Sequence, residues 1–168
     1  MLRPYDELLA GLNERGRLRQ LILPAGHDFT SNDYLGLADS IELKDAIREA
    51  LGRGVPVGAG GSRLLRGHHP EHVALEEEAA AFFGVESALY FSSGFAANYA
   101  LFAALPQRGD LVVYDELIHA SAHDGMRAGR AELAQAVHND AGAFEDKIRA
   151  WRAAGGKGRP WIAVESLY

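Results

Sequence analysis

Seven histidines are the first candidates for chemistry in this sequence, and their contexts differ. His68-His69-Pro70-Glu71-His72 matches H-x-x-E-H, a zinc-hydrolase pattern in which both imidazoles must share one helix face. Pro70 belongs at or near the first position of a helix. His68 is therefore expected before the helix, with its ring not stacked on that of His72. A helix entry carrying polar side chains accounts for the run more simply. His119, in Asp115-Glu116-Leu117-Ile118-His119-Ala120-Ser121, follows an apolar run. A histidine there can stack on a flat cofactor or move protons near neutral pH, or can face solvent at a helix start. His138-Asn139-Asp140 follows a third apolar run, where a turn capping the next helix is favoured over direct chemistry. His27 and His123 carry no pattern.

Tyr90-Phe91-Ser92-Ser93-Gly94-Phe95-Ala96-Ala97-Asn98 reads as a strand end, a small-residue turn and a helix start. Such a junction presents free backbone N–H groups at the positive end of a helix dipole, which suits a phosphate. Many α/β proteins turn this way with no ligand. Ser93 is not a nucleophile elbow, because Phe91 and Phe95 stand where that turn needs glycines. Asp115 and Glu116 are adjacent and point in different directions, so they do not form an acid/base pair. Gly52 to His72 is rich in glycine, which permits close backbone approach. It is not a Walker loop, since no Lys-Ser/Thr follows the glycines. It is not a dinucleotide fingerprint either, since Arg63 takes the third glycine's place after Gly58 and Gly60. A loop of that length inside a compact chain is more often functional than idle.

The elements that must position these groups follow from the apolar pattern. Pro4 to Arg19 reads as an amphipathic helix with Leu8, Leu9 and Leu12 on one side. Leu21-Ile22-Leu23 is a candidate short strand. Thr30 to Leu37 reads as a turn-rich loop anchored by Tyr34, Leu35 and Leu37. Ile41 to Leu51 has the four-residue spacing of a helix, with Gly52 as its stop. A helix resumes at Glu71. Strands are then expected at Ala88–Phe91, Leu111–Tyr114, Leu133–Val137 and Trp161–Val164. Helices are expected at Phe95–Leu105, His119–Arg127 and Ala143–Trp151. Short apolar runs separated by helices predict a doubly wound α/β sheet, at least partly parallel.

Composition fits that class. The chain has 168 residues, 48% of them hydrophobic and 24% charged, enough for one ordinary globular core. A net charge of -6 disfavours a nucleic-acid or anionic-membrane surface as the main role. No apolar run reaches the length of a membrane span, and Met1 to Arg19 lacks the apolar stretch of a signal peptide. There is no cysteine, which removes disulfides, thiolate ligands and a Cys nucleophile. A cytoplasmic protein is the simplest expectation.

Several motifs, in order, resemble one family. Ser31-Asn32-Asp33-Tyr34-Leu35-Gly36-Leu37 is similar to a segment of the α-oxoamine synthases. Gly58-Ala59-Gly60-Gly61-Ser62-Arg63, followed by Gly67-His68 and Leu75-Glu76, looks like that family's glycine-rich loop and next helix. Phe91 to Asn98, Asp115 to Ser121 and His138-Asn139-Asp140 match its order and spacing. The family comprises fold-type I pyridoxal phosphate (PLP) homodimers with active sites at the dimer interface. The resemblance therefore implies PLP as cofactor, bound by Gly94 and Phe95 through backbone N–H groups, with His119 stacked on the ring and Glu165 close by. It implies His119 as the catalytic group. It also implies a substrate side formed by Arg19 (Arg17 in the alternative register), Asn32, Tyr34, Ser62 and His68, and no metal. The implied reaction joins a small amino acid to an acyl-CoA thioester with loss of carbon dioxide. In the biotin-pathway branch the substrates are L-alanine and a pimeloyl thioester.

Two departures accompany the resemblance. The stretch from Arg19 to Ser31 is shorter than in many members. The chain also stops before the family's ring-nitrogen aspartate and Schiff-base lysine, and Lys44, Lys147 and Lys157 lie in no matching motif. Residues 1–38 are thus expected to be an N-terminal helix and substrate-side loop, and 39–168 an incomplete PLP-binding large domain. Such a fragment is expected to be inactive alone and to expose a sheet edge and apolar helix faces. The rivals are a sister synthase using glycine or serine, a non-catalytic interaction module with the same fold, and the zinc hydrolase.

Overall fold

The computed structural model describes residues 3–23, 25–27 and 29–168. The chain divides into two compact units, residues 1–61 and 62–168.

In the first unit α1 (Arg3–Glu14) ends well before Arg19. Gly16 adopts φ 62°, and the N–H groups of Gly16 and Arg17 return to the carbonyls of Asn13 and Leu12 at 2.9 and 2.8 Å. A left-handed glycine closing the last turn in this way terminates a helix whatever the apolar period beyond it. Leu21, Ile22 and Leu23 are fully exposed coil rather than a strand, because no strand among the unit's described residues pairs with them. The loop at 30–37 is ordered by a carboxylate and not by its apolar side chains. Asp33 accepts from the N–H groups of Leu37 (2.7 Å) and Ala38 (3.0 Å), while Tyr34, Leu35 and Leu37 are exposed. Helix α2 (Ile41–Gly52) starts on the Ser40 hydroxyl, which accepts from the Leu43 N–H. It ends at Gly52 with Arg53 as its C-cap, and Gly54, at φ 85°, turns the chain away.

The second unit opens with a π-type turn, Arg63–Gly67, in which the N–H groups of Leu65, Arg66 and Gly67 converge on the Ser62 carbonyl. Helix α3 (Pro70–Phe83) follows, closed by Gly84 at φ 64°. Ala88–Phe91 is extended coil and not the expected strand. No strand among the described residues runs beside it, and its polar groups find other partners: the Tyr90 N–H donates to Glu76 at 2.8 Å.

The sheet has three parallel strands, β1 (Leu111–Asp115), β2 (Glu132–Ala136) and β3 (Pro160–Ala163), in the order β2-β1-β3. Val113 stands opposite Ala134 on one side and Ile162 on the other. Leu111 to Val113 are buried on both faces, as a central parallel strand requires. Leu111 and Val113 pack with Ala136, Phe144 and Trp151, the last two from α6 (Ala141–Ala153). Val112 faces the other way, with Ile118, Ala163, and Ala122 and Met126 of α5 (Ala120–Ala128). One helix on each face of a parallel sheet is the doubly wound arrangement read from the sequence. Helix α4 (Gly94–Ala104) packs against α5 at very short range. A Cβ on Gly125 would lie 2.7 Å from the Tyr99 carbonyl oxygen and 3.1 Å from that of Asn98, so only glycine allows this approach.

Candidate functional site

The carboxyl ends of the three strands bring together Asp115, His138 and Glu165, the region where ligands bind in such sheets. Asp115 is 1% exposed, yet its carboxylate is fully engaged. It accepts from the N–H groups of Leu117 (2.9 Å) and Asn139 (3.0 Å) and lies 2.9 Å from His138 Nδ1. Burial alone would push its pKa up. The two amide donors and His138 outweigh that and hold it below the ordinary carboxylate value. Asp115 thereby fixes the turn after β2, where Asn139 takes φ 56° and the Asp140 carboxylate accepts from Ala143 N–H to start α6. The His138 segment is thus a cap, as the sequence indicates. The pairing with Asp115 has no local signal, since 23 residues separate the partners.

The starts of α4 and α5 form the polar cup. Ser93 caps α4: its hydroxyl accepts from Ala96 N–H and its carbonyl from Ala97 N–H, both at 3.1 Å. The N–H groups of Gly94 and Phe95 have no partner among the described residues, and a Cβ at Gly94 would meet nothing within 4 Å. This is an open anion cradle. His119 caps α5, with Nδ1 accepting from Ser121 N–H at 3.1 Å and lying 2.6 Å from the Ser121 hydroxyl oxygen. Asn98, one turn into α4, donates to that hydroxyl oxygen at 3.0 Å. The His119 N–H donates to the Glu165 carboxylate at 3.2 Å, and the Glu165 N–H donates to the Tyr168 hydroxyl at 2.9 Å. The His119 ring stays exposed.

Other expected site residues are distributed differently. Ser62 and His68 lie in the second unit. Ser62 supports the π-type turn through its carbonyl, and His68 Nδ1 lies 3.2 Å from Arg63. Arg19 lies in coil beyond α1 rather than in the first helix, and with Asn32 and Tyr34 it is an exposed residue of the first unit. The rings of His68 and His72 do stack, at 6.1 Å and 13°, contrary to expectation. Their Nδ1 atoms are nevertheless engaged elsewhere, that of His68 by Arg63 at 3.2 Å and that of His72 by the His69 N–H at 3.2 Å. No cluster of metal-ligating residues exists among the described residues. Lys44 is paired with Asp39 in the first unit, Lys147 is exposed on α6, and Lys157 lies in the connection entering the amino end of β3. Beside β3, an open cavity of about 500 Å³ is walled mainly by Phe144, Ile148, Ile162 and Val164. No described helix is long and apolar enough to cross a membrane.

Comparison with known proteins adds a family to this geometry. Residues 26–167 match the family model described as aminotransferase class I and II. The 8-amino-7-oxononanoate synthase of Chromobacterium violaceum is 40% identical over 95% of the chain and 44% of the relative. That of Geobacter sulfurreducens is 42% identical over 92% and 43%. Among solved structures, Sphingomonas wittichii serine palmitoyltransferase superposes with a TM-score of 0.77 at 25% identity, over 96% of the chain and 44% of that structure. The 8-amino-7-oxononanoate synthase of Francisella tularensis superposes with a TM-score of 0.58 at 33% identity, over 71% and 33%. The chain spans less than half the length of the curated relatives it matches.

Proposed function

The chain belongs to the aminotransferase class I and II family, and from that premise we propose that it contributes to a PLP-dependent acyltransferase. The reaction is the decarboxylative condensation of L-alanine with pimeloyl-CoA or pimeloyl-ACP to 8-amino-7-oxononanoate, a step of biotin synthesis. The similarity to the Chromobacterium and Geobacter synthases supports the substrate assignment. The observation that carries the cofactor assignment is the pair of N–H groups at Gly94 and Phe95, without partners among the described residues, at the start of the helix whose Asn98 is linked through Ser121 to the exposed His119.

The residues present fit a phosphate joined to a flat ring. Gly94 and Phe95 would hold the phosphate, aided by the positive end of α4. His119 would lie on the ring and orient the amino acid for proton removal, with Glu165 fixing the His119 backbone. When bound, PLP supplies an electron sink that makes the amino acid's α-carbon nucleophilic. Ser62, His68, Arg19, Asn32 and Tyr34 are proposed for the substrate side. Of the chain's three lysines, Lys44 belongs to the first unit, and the second unit's Lys147, on α6, and Lys157, at the amino end of β3, are not at the carboxyl ends of the strands. The covalent anchor is accordingly assigned to a lysine outside these 168 residues, and the chain alone is assigned no turnover. A cytoplasmic homodimer completes the proposal.

A sister synthase acting on serine is the second reading. It is favoured by the better superposition on serine palmitoyltransferase, with a TM-score of 0.77 against 0.58. Purified full-length protein should carry PLP absorbance and turn over L-alanine with pimeloyl-CoA in preference to serine with palmitoyl-CoA. The reverse preference selects the sister reaction. Full-length protein that takes up no PLP overturns both.

A further inference from the structure

We propose that Ser121 and Asn98 are positioning residues that fix the His119 ring in its Nε2–H tautomer, with Nε2–H directed away from the fold as a donor. The proposal concerns residues that the sequence pattern did not single out, and it rests on His119 facing cofactor and substrate as proposed above.

The argument is one of hydrogen-bond polarity. The Ser121 main-chain N–H points at His119 Nδ1 at 3.1 Å, and an amide N–H can only donate. Nδ1 must therefore carry a lone pair, which places the neutral ring's proton on Nε2. The Ser121 hydroxyl oxygen lies 2.6 Å from the same nitrogen, short enough for a strong O–H···N bond. With Nδ1 an acceptor, the hydroxyl is the donor, and Asn98 supports that direction. Its Nδ2–H donates to the Ser121 oxygen at 3.0 Å, occupying a lone pair and leaving the hydroxyl hydrogen for Nδ1. Donation thus runs Asn98 to Ser121 to His119. Ser121 is 0% exposed, so water does not compete for this hydroxyl. The chain of bonds exists because Gly125 lets α5 approach the α4 backbone at Asn98 and Tyr99. The ring is held at Nδ1 by the fold, and its other edge is left for chemistry. A ring flipped about its Cβ–Cγ bond would lose both Ser121 contacts and present carbon to the site.

The test uses full-length protein with ¹⁵N-labelled histidine, comparing wild type with Ser121→Ala and Asn98→Ala. A long-range ¹H–¹⁵N spectrum of the PLP-free protein should show His119 as Nε2–H in wild type. The Nδ1 signal should move in Ser121→Ala and, in the same direction but less, in Asn98→Ala. With PLP restored, the L-alanine concentration that half-saturates the cofactor's spectral change should rise about tenfold in Ser121→Ala, with PLP content unchanged. A wild-type Nδ1–H ring overturns the proposal, and so does an Nδ1 signal that ignores both substitutions. Should Ser121→Ala fail to fold, the wild-type tautomer and Asn98→Ala still decide it. Protein that holds no PLP overturns the cofactor assignment alone, because the tautomer is read without cofactor.

Discussion

Arg63 and Glu76 form a two-pronged ion pair, Nη1 to Oε1 at 2.6 Å and Nη2 to Oε2 at 2.9 Å, across thirteen residues. The same Glu76 carboxylate accepts the Tyr90 N–H at 2.8 Å, and Arg63 also reaches the Tyr90 carbonyl at 3.4 Å. One buttress thus ties the glycine-rich loop, α3 and the segment leading to Gly94. Fork-to-fork pairing of a guanidinium and a carboxylate fixes orientation as well as distance.

This pair predicts a pH signature. The Arg63 hydrogen bonds, then the Tyr90 N–H, lower the Glu76 pKa to about 2 from 4.5. A carboxylate with a depressed folded-state value stabilises the fold fully above its unfolded value, and loses that contribution as pH falls towards the folded one. Thermal denaturation should therefore show wild type more stable than Glu76→Gln by a constant margin above about pH 5. The margin should shrink between about 4.5 and 2. A margin that does not vary with pH counts against the ion pair.

The contact between α4 and α5 predicts a steric penalty. In Gly125→Ala the new methyl would sit 2.7 Å from the Tyr99 carbonyl oxygen and 2.9 Å from its Cα. Both are backbone atoms and cannot rotate away. The expected loss is about 1–3 kcal/mol. Gly52→Ala is the control: it lies in α2 with nothing within 4 Å, and should be neutral or stabilising by up to about 1 kcal/mol. Equal melting temperatures for the two variants would refute the close crossing.

The His68–His72 run predicts capping rather than metal chemistry. His69 Nδ1 accepts from Glu71 N–H at 3.3 Å, and His72 Nδ1 accepts from His69 N–H at 3.2 Å. His69→Asp places a better cap at the positive end of α3 and should stabilise by about 0.5–1 kcal/mol. His72→Ala should cost about 0.5–1 kcal/mol. Neither zinc nor EDTA should change either melting temperature, and a metal-dependent shift lost in His72→Ala would restore the hydrolase reading.

Trp151 predicts a difference between two truncations. Its ring is buried against Leu111 and Val113, but Nε1–H has no hydrogen-bond partner among the described residues. Trp151→Phe keeps most of the apolar surface and removes the unpaired donor, so its cost should stay below about 1.5 kcal/mol. Trp151→Ala opens a cavity and should cost about 3–5 kcal/mol. Urea denaturation of the two variants checks the ordering.

The three strands and the helices from α2 to α6 were legible because each carries its own apolar period or run, as Val112 and Val113 do for the two faces of β1. Contacts between elements were not. The Asp115–His138 pair, the Ser121–Asn98 chain and the Arg63–Glu76 buttress each join residues 13 to 23 positions apart, beyond the reach of local spacing. Two failures share another cause. Leu21–Leu23 and Ala88–Phe91 have strand-like composition, but β structure exists only with a neighbour, and composition does not supply one. The overlong first helix has a different cause: the apolar period of Leu8, Leu9 and Leu12 carries no end signal, and Gly16, inside the expected span, is the stop.

His119 serves as the N-cap of α5 and as the exposed ring at the cup. Under the proposed function, folding and chemistry would draw on opposite edges of one imidazole. Replacing it with alanine removes a helix cap together with the ring proposed for the cofactor, so a lost activity would not tell the two apart. His119→Asn keeps an acceptor for the Ser121 N–H while discarding the ring. The difference between the two variants measures what the ring alone contributes.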